Sequence, residues 1–226
     1  MRILCALILM VSLVGCRAEQ PTPRRTDLGD WILAFAAAKK DPFFSNLPIS
    51  LAIEDDEMPS PILTRVNGIE CMLVINRKKF NGIDDLFPVD EVERDVVMQA
   101  MIVHEFAHCQ EDVTRMRPLE SSDPTIAYVM AAKAELYGDV VALSWAKTTK
   151  GQHYAVVERA FLKMRTNEDD APYDKLRTAL DAIIAQNIDL VAKSPFDRAY
   201  SIVNSYAISH LLTPTTPIVV EQMLDK

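Results

Sequence analysis

Glycine is scarce in this chain, 6 among 226 residues, which argues against a loop-rich or fibrous architecture. No internal repeat and no low-complexity block is visible. Beyond an N-terminal segment there is no second domain boundary, so one domain of ordinary size is expected. A basic stripe interleaved with aromatics is also missing. With 24 Lys and Arg against 32 Asp and Glu, the net charge of −8 repels phosphate backbones and argues against nucleic acid as a partner. Hydrophobic residues at 49% and charged residues at 25% are ordinary for a globular protein, so composition excludes classes without naming a function. Nor is there an apolar run long enough to cross a bilayer. The N-terminal run, Ile3 to Val14, covers about 12 residues, and a spanning helix needs about 20.

That short run follows the single positive charge of Arg2 and has the size of a secretory signal core. It ends in Leu13-Val14-Gly15-Cys16, which resembles the lipobox of bacterial lipoproteins. The resemblance implies cleavage before Cys16, lipid on its sulfur, and a protein anchored to a membrane of the bacterial envelope with its folded domain outside the cytoplasm. Residues 1–15 are then the signal and 16–27, with Pro21, Pro23 and three arginines, a tether; the folded domain is 28–226. Of 4 cysteines, Cys71 and Cys109 are left in that domain. Outside the cytoplasm they can oxidise to a disulfide or stay as two buried thiols. Spacing alone does not decide, because a disulfide requires Cα atoms within about 7 Å.

Apolar periodicity divides the domain into a short sheet followed by helices. Asp30 to Lys40 reads as a first helix, stopped by Asp41-Pro42. Ile49, Leu51 and Ile53 alternate as a strand. Ile62 to Val66 and Ile69 to Ile75 flank Asn67-Gly68, a pair that favours a two-residue hairpin turn. A helix then begins at Asp90, a cap whose partner Glu93 can reach back to it. Another starts at Asp123-Pro124 and runs to about Lys147. Tyr154 to Met164, Asp174 to Val191 and Phe196 to Leu212 continue with helical spacing. The expectation is an α+β fold: a small N-terminal sheet with a hairpin, one active-site helix, and a helical C-terminal half.

His104-Glu105-Phe106-Ala107-His108 lies in the helix that starts at Asp90. Residues four apart share one helix face, so the two imidazoles can bind a single ion. A bound zinc would lower the pKa of a water toward about 7, and Glu105, beside the first ligand, can take that water's proton as it attacks a carbonyl. A chain of this size carries the pattern by chance about once in a hundred times or less, so it is a strong signal. A surface pair of histidines fits poorly, because eight almost uninterrupted apolar or small positions precede His104.

A catalytic zinc needs a third protein ligand. A metzincin would have glycine at 111 and histidine at 114, where this chain has Glu111 and Thr114. Glu135 and Asp139 are the better pair: two carboxylates four apart in an otherwise apolar helix, costly to bury unless paired or bound to a cation. Ligation by Glu135, with Asp139 on the free ring nitrogen of a ligand histidine, satisfies both. A solvated face shared with Lys133 is the bland alternative, and Glu111, Glu120 or His153 could supply the third ligand instead. Gly138, between the two acids, costs about 1 kcal/mol in a helix interior and suggests close approach to another backbone.

On these residues the chain resembles the gluzincin peptidases over about residues 49 to 145. The resemblance implies a zincin-like fold, with His104, His108 and Glu135 as zinc ligands, Glu105 as base and Asp139 supporting a ligand ring. It implies a peptide or protein substrate, with Cys71 to Asn76 matching the edge strand that lines the substrate backbone. It also implies a His or Tyr donor to the developing oxyanion. His153, His210, Tyr137, Tyr200 and Tyr206 are available, and His210 is favoured because the long last helix could fold back over the site. The rival expectation is a non-catalytic zinc-binding envelope lipoprotein, against which an intact Glu105 counts, since a structural zinc takes a fourth closed ligand rather than a base.

Overall fold

A computed structural model of the chain describes residues 26–55, 62–67, 70–77, 90–110, 123–166, 175–186, 189–191 and 193–212. The signal-like segment, Cys16 and the tether as far as residue 25 lie outside the described residues, as do Gly68, Glu111 and Glu120. The architecture is mixed α+β and mostly helical, with one three-stranded sheet. No helix among the described residues is long and apolar enough to cross a membrane.

Helix α1 (Leu28–Lys40) opens with a capping box in which Asp27 and Asp30 each accept the other's backbone N–H at 3.0 Å. Strands β1 (Ile49–Glu54), β2 (Ile62–Asn67) and β3 (Glu70–Asn76) follow. Their order is β1-β3-β2, with β1 parallel and β2 antiparallel to β3. Two expectations change here. Asn67 pairs with Glu70 as the last residue of β2, so the strand runs one residue into the expected turn. And β3 is the central strand: its neighbours pair with it from both sides over Cys71 to Ile75, which uses its backbone donors and acceptors and leaves none for a substrate. The edge strand that packs on the site helix is β2.

That site helix, α2 (Glu91–His108), starts where Asp90 accepts the N–H of Glu93 at 2.9 Å. The next, α3 (Pro124–Thr149), begins with Asp123 accepting from Thr125 and Ile126 and with proline in its first turn. Every residue from Leu136 to Ala146 is buried, which is what a helix apolar on all sides does. It is the axis of the helical half. Helix α2 packs on it, as do α4 (Tyr154–Thr166), α5 (Leu176–Ala185) and α6 (Pro195–Val203). The indole N–H of Trp145 donates to Asp41 at 2.9 Å, tying α3 to the end of α1.

The expected last helix, Phe196 to Leu212, is broken. After α6 the chain turns at Asn204-Ser205 into α7 (Tyr206–Ser209) and a 3-10 turn, His210–Leu212. The Asn204 amide donates to the carbonyl of Tyr200 and the Ser205 hydroxyl to that of Ile202, the local side-chain bonds that compete with a helical ladder.

Cys71 in β3 and Cys109, the residue that caps α2, form a disulfide with Cα atoms 5.6 Å apart. It fastens the central strand to the residue after His108.

Candidate metal centre

The four-residue spacing on α2 puts His104 and His108 on the face turned toward α3, both buried. Their Nε2 atoms are 3.0 Å apart. Glu135, half-buried on α3, sits over the pair, with Oε2 3.4 Å from His104 Nε2 and Oε1 3.6 Å from His108 Nε2. These three residues are a group of donors able to hold one metal ion. A tetrahedral ion with ligand bonds of about 2.0–2.1 Å separates its ligand atoms by about 3.3–3.4 Å, and the three spacings bracket that value.

The His104 ring is held from three sides. Its Nδ1 lies 2.9 Å from Oδ1 of Asp139, which leaves Nε2 to face Glu135 and His108. Phe161 of α4 flanks it at 6.1 Å between ring centres. On the α3 side stands Gly138, where a Cβ would come within 2.6 Å of Cε1 and 2.7 Å of Nδ1. The close approach expected at this glycine is therefore real, but what approaches is an imidazole rather than a backbone.

Arg165, near the end of α4, is a member of the cluster that reading the sequence missed. Its buried guanidinium donates to Asp139 through Nε and Nη2, both at 2.8 Å, and to Glu135 through Nη2 at 3.2 Å. A signal was present: Val157, Phe161 and Arg165 are four apart, so the arginine lies on the buried stripe of its helix and needs a buried acid.

These contacts set the protonation of the metal-free cluster. Burial alone would push the His104 imidazole down, but its contacts with Asp139 and Glu135 outweigh that and raise it to about 10. Burial would raise both acids, yet His104, His108 and Arg165 hold Glu135 well below the carboxylate range, and Arg165 and His104 do the same for Asp139. Glu105, next to His104 on α2, moves the other way. Burial pushes it up, the His104 charge pulls it down, and the Glu135 charge adds to the rise; a hydrogen bond from Thr64 of β2 and the Arg165 charge oppose it, leaving it at about 7. A carboxylate there can hold or release a proton near neutrality.

Among the oxyanion candidates, His210 is exposed on the final 3-10 turn, which sets it apart from the buried cluster. Tyr200 is exposed at 46%. Tyr137 is fully buried and its hydroxyl donates to Gln110 at 3.0 Å, next to the end of α2. His153 lies in the turn before α4 beside Gln152, not in the cluster, and the side chain of Tyr206 lies outside the described residues.

Comparison with models of known protein families, with curated proteins and with solved structures returned no match.

Proposed function

We propose that this chain is a zinc-dependent hydrolase with a zincin-like fold of the gluzincin type, acting as a peptidase in the bacterial envelope. The observation that carries the reading is the group His104, His108 and Glu135, in which the two Nε2 atoms are 3.0 Å apart and lie 3.4 and 3.6 Å from one and the other carboxylate oxygen of Glu135, with Glu105 next to His104 on α2. Two imidazoles and one carboxylate are the donor set of an open catalytic zinc site, which keeps a fourth position for water or substrate. Formal charge points the same way. Glu105, Glu135 and Asp139 contribute three negative charges and Arg165 one positive, so neutral imidazoles leave −2, which one divalent cation cancels.

Zinc, when bound, supplies the positive charge that brings water's pKa toward 7 and polarises a carbonyl. The protein's residues do the rest. The Asp139 carboxylate, 2.9 Å from Nδ1, favours a proton on that nitrogen of His104, so that Nε2 is the one left for the metal. Glu105 accepts a proton from the attacking water and can return it to the leaving amine; Thr64, which donates to that carboxylate, places the β2 edge within reach of the same spot. An extended peptide adding along the side of β2 that faces away from β3 would bring its carbonyl to Glu105. Leu13-Val14-Gly15-Cys16 supports anchoring by lipid on Cys16, and the disulfide suits an oxidising compartment.

Metal analysis of the purified full chain, with cleavage of a broad peptide library by wild type and E105Q, tests this. The expected outcome is one zinc per chain in both, cleavage by the wild type, and a loss of at least about 100-fold in E105Q, because the amide keeps the shape but cannot take the proton. Zinc without cleavage would refute the peptidase and leave a metal-binding lipoprotein.

A further inference from the structure

We propose that Arg165 is a positioning residue whose guanidinium is a counter-charge of the metal-free site, holding Glu135 in ligand geometry and Asp139 against the His104 ring until a divalent cation takes over part of that task. The inference rests on the metal-site reading above. Glu135 and Asp139 stand on successive turns of α3, one half-buried and one fully buried. Two such carboxylates repel each other and are costly to bury without a cation. Arg165 touches both. Its fork closes on Asp139 with two bonds of 2.8 Å, and the Nη2 that makes one of them also reaches Glu135 Oε2 at 3.2 Å.

The contacts form one chain. Asp139 Oδ1 meets both Arg165 Nη2 and His104 Nδ1, and Glu135 Oε2 lies between Arg165 Nη2 and His104 Nε2. A single side chain from α4 thus fixes the acids that fix the ring. It also makes the cluster's charge a sum in which guanidinium and metal are partly interchangeable.

With imidazoles neutral, the site carries −2 with Arg165 and no metal, −3 with neither, 0 with both, and −1 with the metal alone. The cost of burying charge grows as its square. Loss of the guanidinium therefore takes the metal-free site from four to nine on that scale and the loaded site from zero to one. The guanidinium and the metal repel each other, so the metal-free protein suffers the larger loss. A structural arginine that merely packed between helices would be missed equally in both.

The test is a thermal melt of the full chain, wild type, R165M and R165K, in chelator and in saturating Zn2+, with Zn2+ titration calorimetry alongside. Expected is a large fall in Tm for R165M in chelator and a smaller fall with Zn2+, so that the metal-induced rise is greater in R165M than in wild type. R165K, which keeps the charge, should show a metal-induced rise close to the wild-type one. Equal falls in the two conditions, or an R165M that folds in neither, would overturn the proposal while wild type still binds Zn2+. A wild type that neither binds Zn2+ nor gains in Tm would instead overturn the metal site itself.

Discussion

Replacing Gly138 by alanine should expel His104 from the site while the helix that carries the substitution becomes intrinsically better. A Cβ at 138 would stand 2.6 Å from Cε1, 2.7 Å from Nδ1 and 3.0 Å from Cγ of that ring. Carbon contacts settle at about 3.5–4.0 Å, so the ring must recede by about 1 Å. It cannot do so and keep its 2.9 Å contact with Asp139 or its place beside His108. Metal–ligand distances tolerate only about ±0.2 Å, so the shift removes His104 as a ligand. Affinity for Zn2+ should fall by more than the roughly 10–100-fold that follows loss of a ligand's hydrogen-bond partner.

Stability gives the sharper reading. Overpacking costs about 1–3 kcal/mol, and exchanging glycine for alanine in a helix interior returns about 1, so Gly138→Ala in the metal-free protein should lose about 0–2 kcal/mol. In a His104→Ala background the obstacle is gone and only the helix term survives. There the same substitution should stabilise, by up to about 1 kcal/mol. A double-mutant cycle by denaturant unfolding in chelator measures both arms, and removal of His104 must shift the effect toward stability by about 1–3 kcal/mol. If Gly138→Ala costs the same with and without His104, or leaves Zn2+ affinity intact, the glycine is not there to make room for the ring.

The disulfide closes a loop of 38 residues, for which the chain-entropy estimate is about 4 kcal/mol; thiol alkylation of denatured, unreduced protein should leave Cys71 and Cys109 unlabelled, and reduction should lower the unfolding midpoint accordingly. Metal entry should also expel a proton. Metal-free His104 is held at about 10, so near pH 7.5 its site is protonated, and calorimetry in buffers of different ionisation heat should find about one proton released per Zn2+ bound. For metal-free stability the signs are these: the raised His104 contributes stability that is full below its ordinary 6.5 and lost as pH rises through about 10. The depressed Glu135 and Asp139 contribute stability present above their ordinary 4.5 and 3.8 and lost as pH falls further. Chelated protein should therefore weaken from pH 7 to pH 10 while its affinity for Zn2+ rises, and a flat affinity profile would contradict the proton count.

Periodicity carried the fold as far as local rules reach. The caps at Asp90 and Asp123 are where the sequence suggests, because an acceptor side chain before an apolar helical run satisfies amides that have no other partner. The pairing of β2 with β3 was legible from the alternating strands on either side of Asn67-Gly68, to within one residue. The parallel pairing of β1 with β3 was not, since nothing in either strand's alternation names its neighbour, and that pairing is what moves β3 from the edge to the centre. The break at Asn204-Ser205 was legible in principle, two residues that bond their own backbone inside an otherwise helical pattern. In the site, His104 and His108 meet because four-residue spacing fixes their face, and Glu135 and Asp139 because two acids in an apolar run need a cation. Arg165 is 26 residues beyond Asp139 on another helix, so only the packing of α4 against α3 brings them together.

The face of α3 that meets His104 gathers three separate requirements into one register. Glu135, Gly138 and Asp139 stand at positions i, i+3 and i+4, which is one stripe of a helix. The first reaches both imidazoles, the second leaves the space in which one of them lies, and the third holds that ring's other nitrogen. Rotation of α3 by a single residue, about 100°, would take all three away together. A glycine in the middle of a 26-residue helix is then no defect of design. It costs about 1 kcal/mol relative to alanine, less than the overpacking it avoids at its upper range. The same stripe explains why the helix must be anchored so heavily. Buried on every side from Leu136 to Ala146 and tied by Trp145 to the end of α1, α3 is held against turning, and the two imidazoles of α2 meet their acid in one orientation.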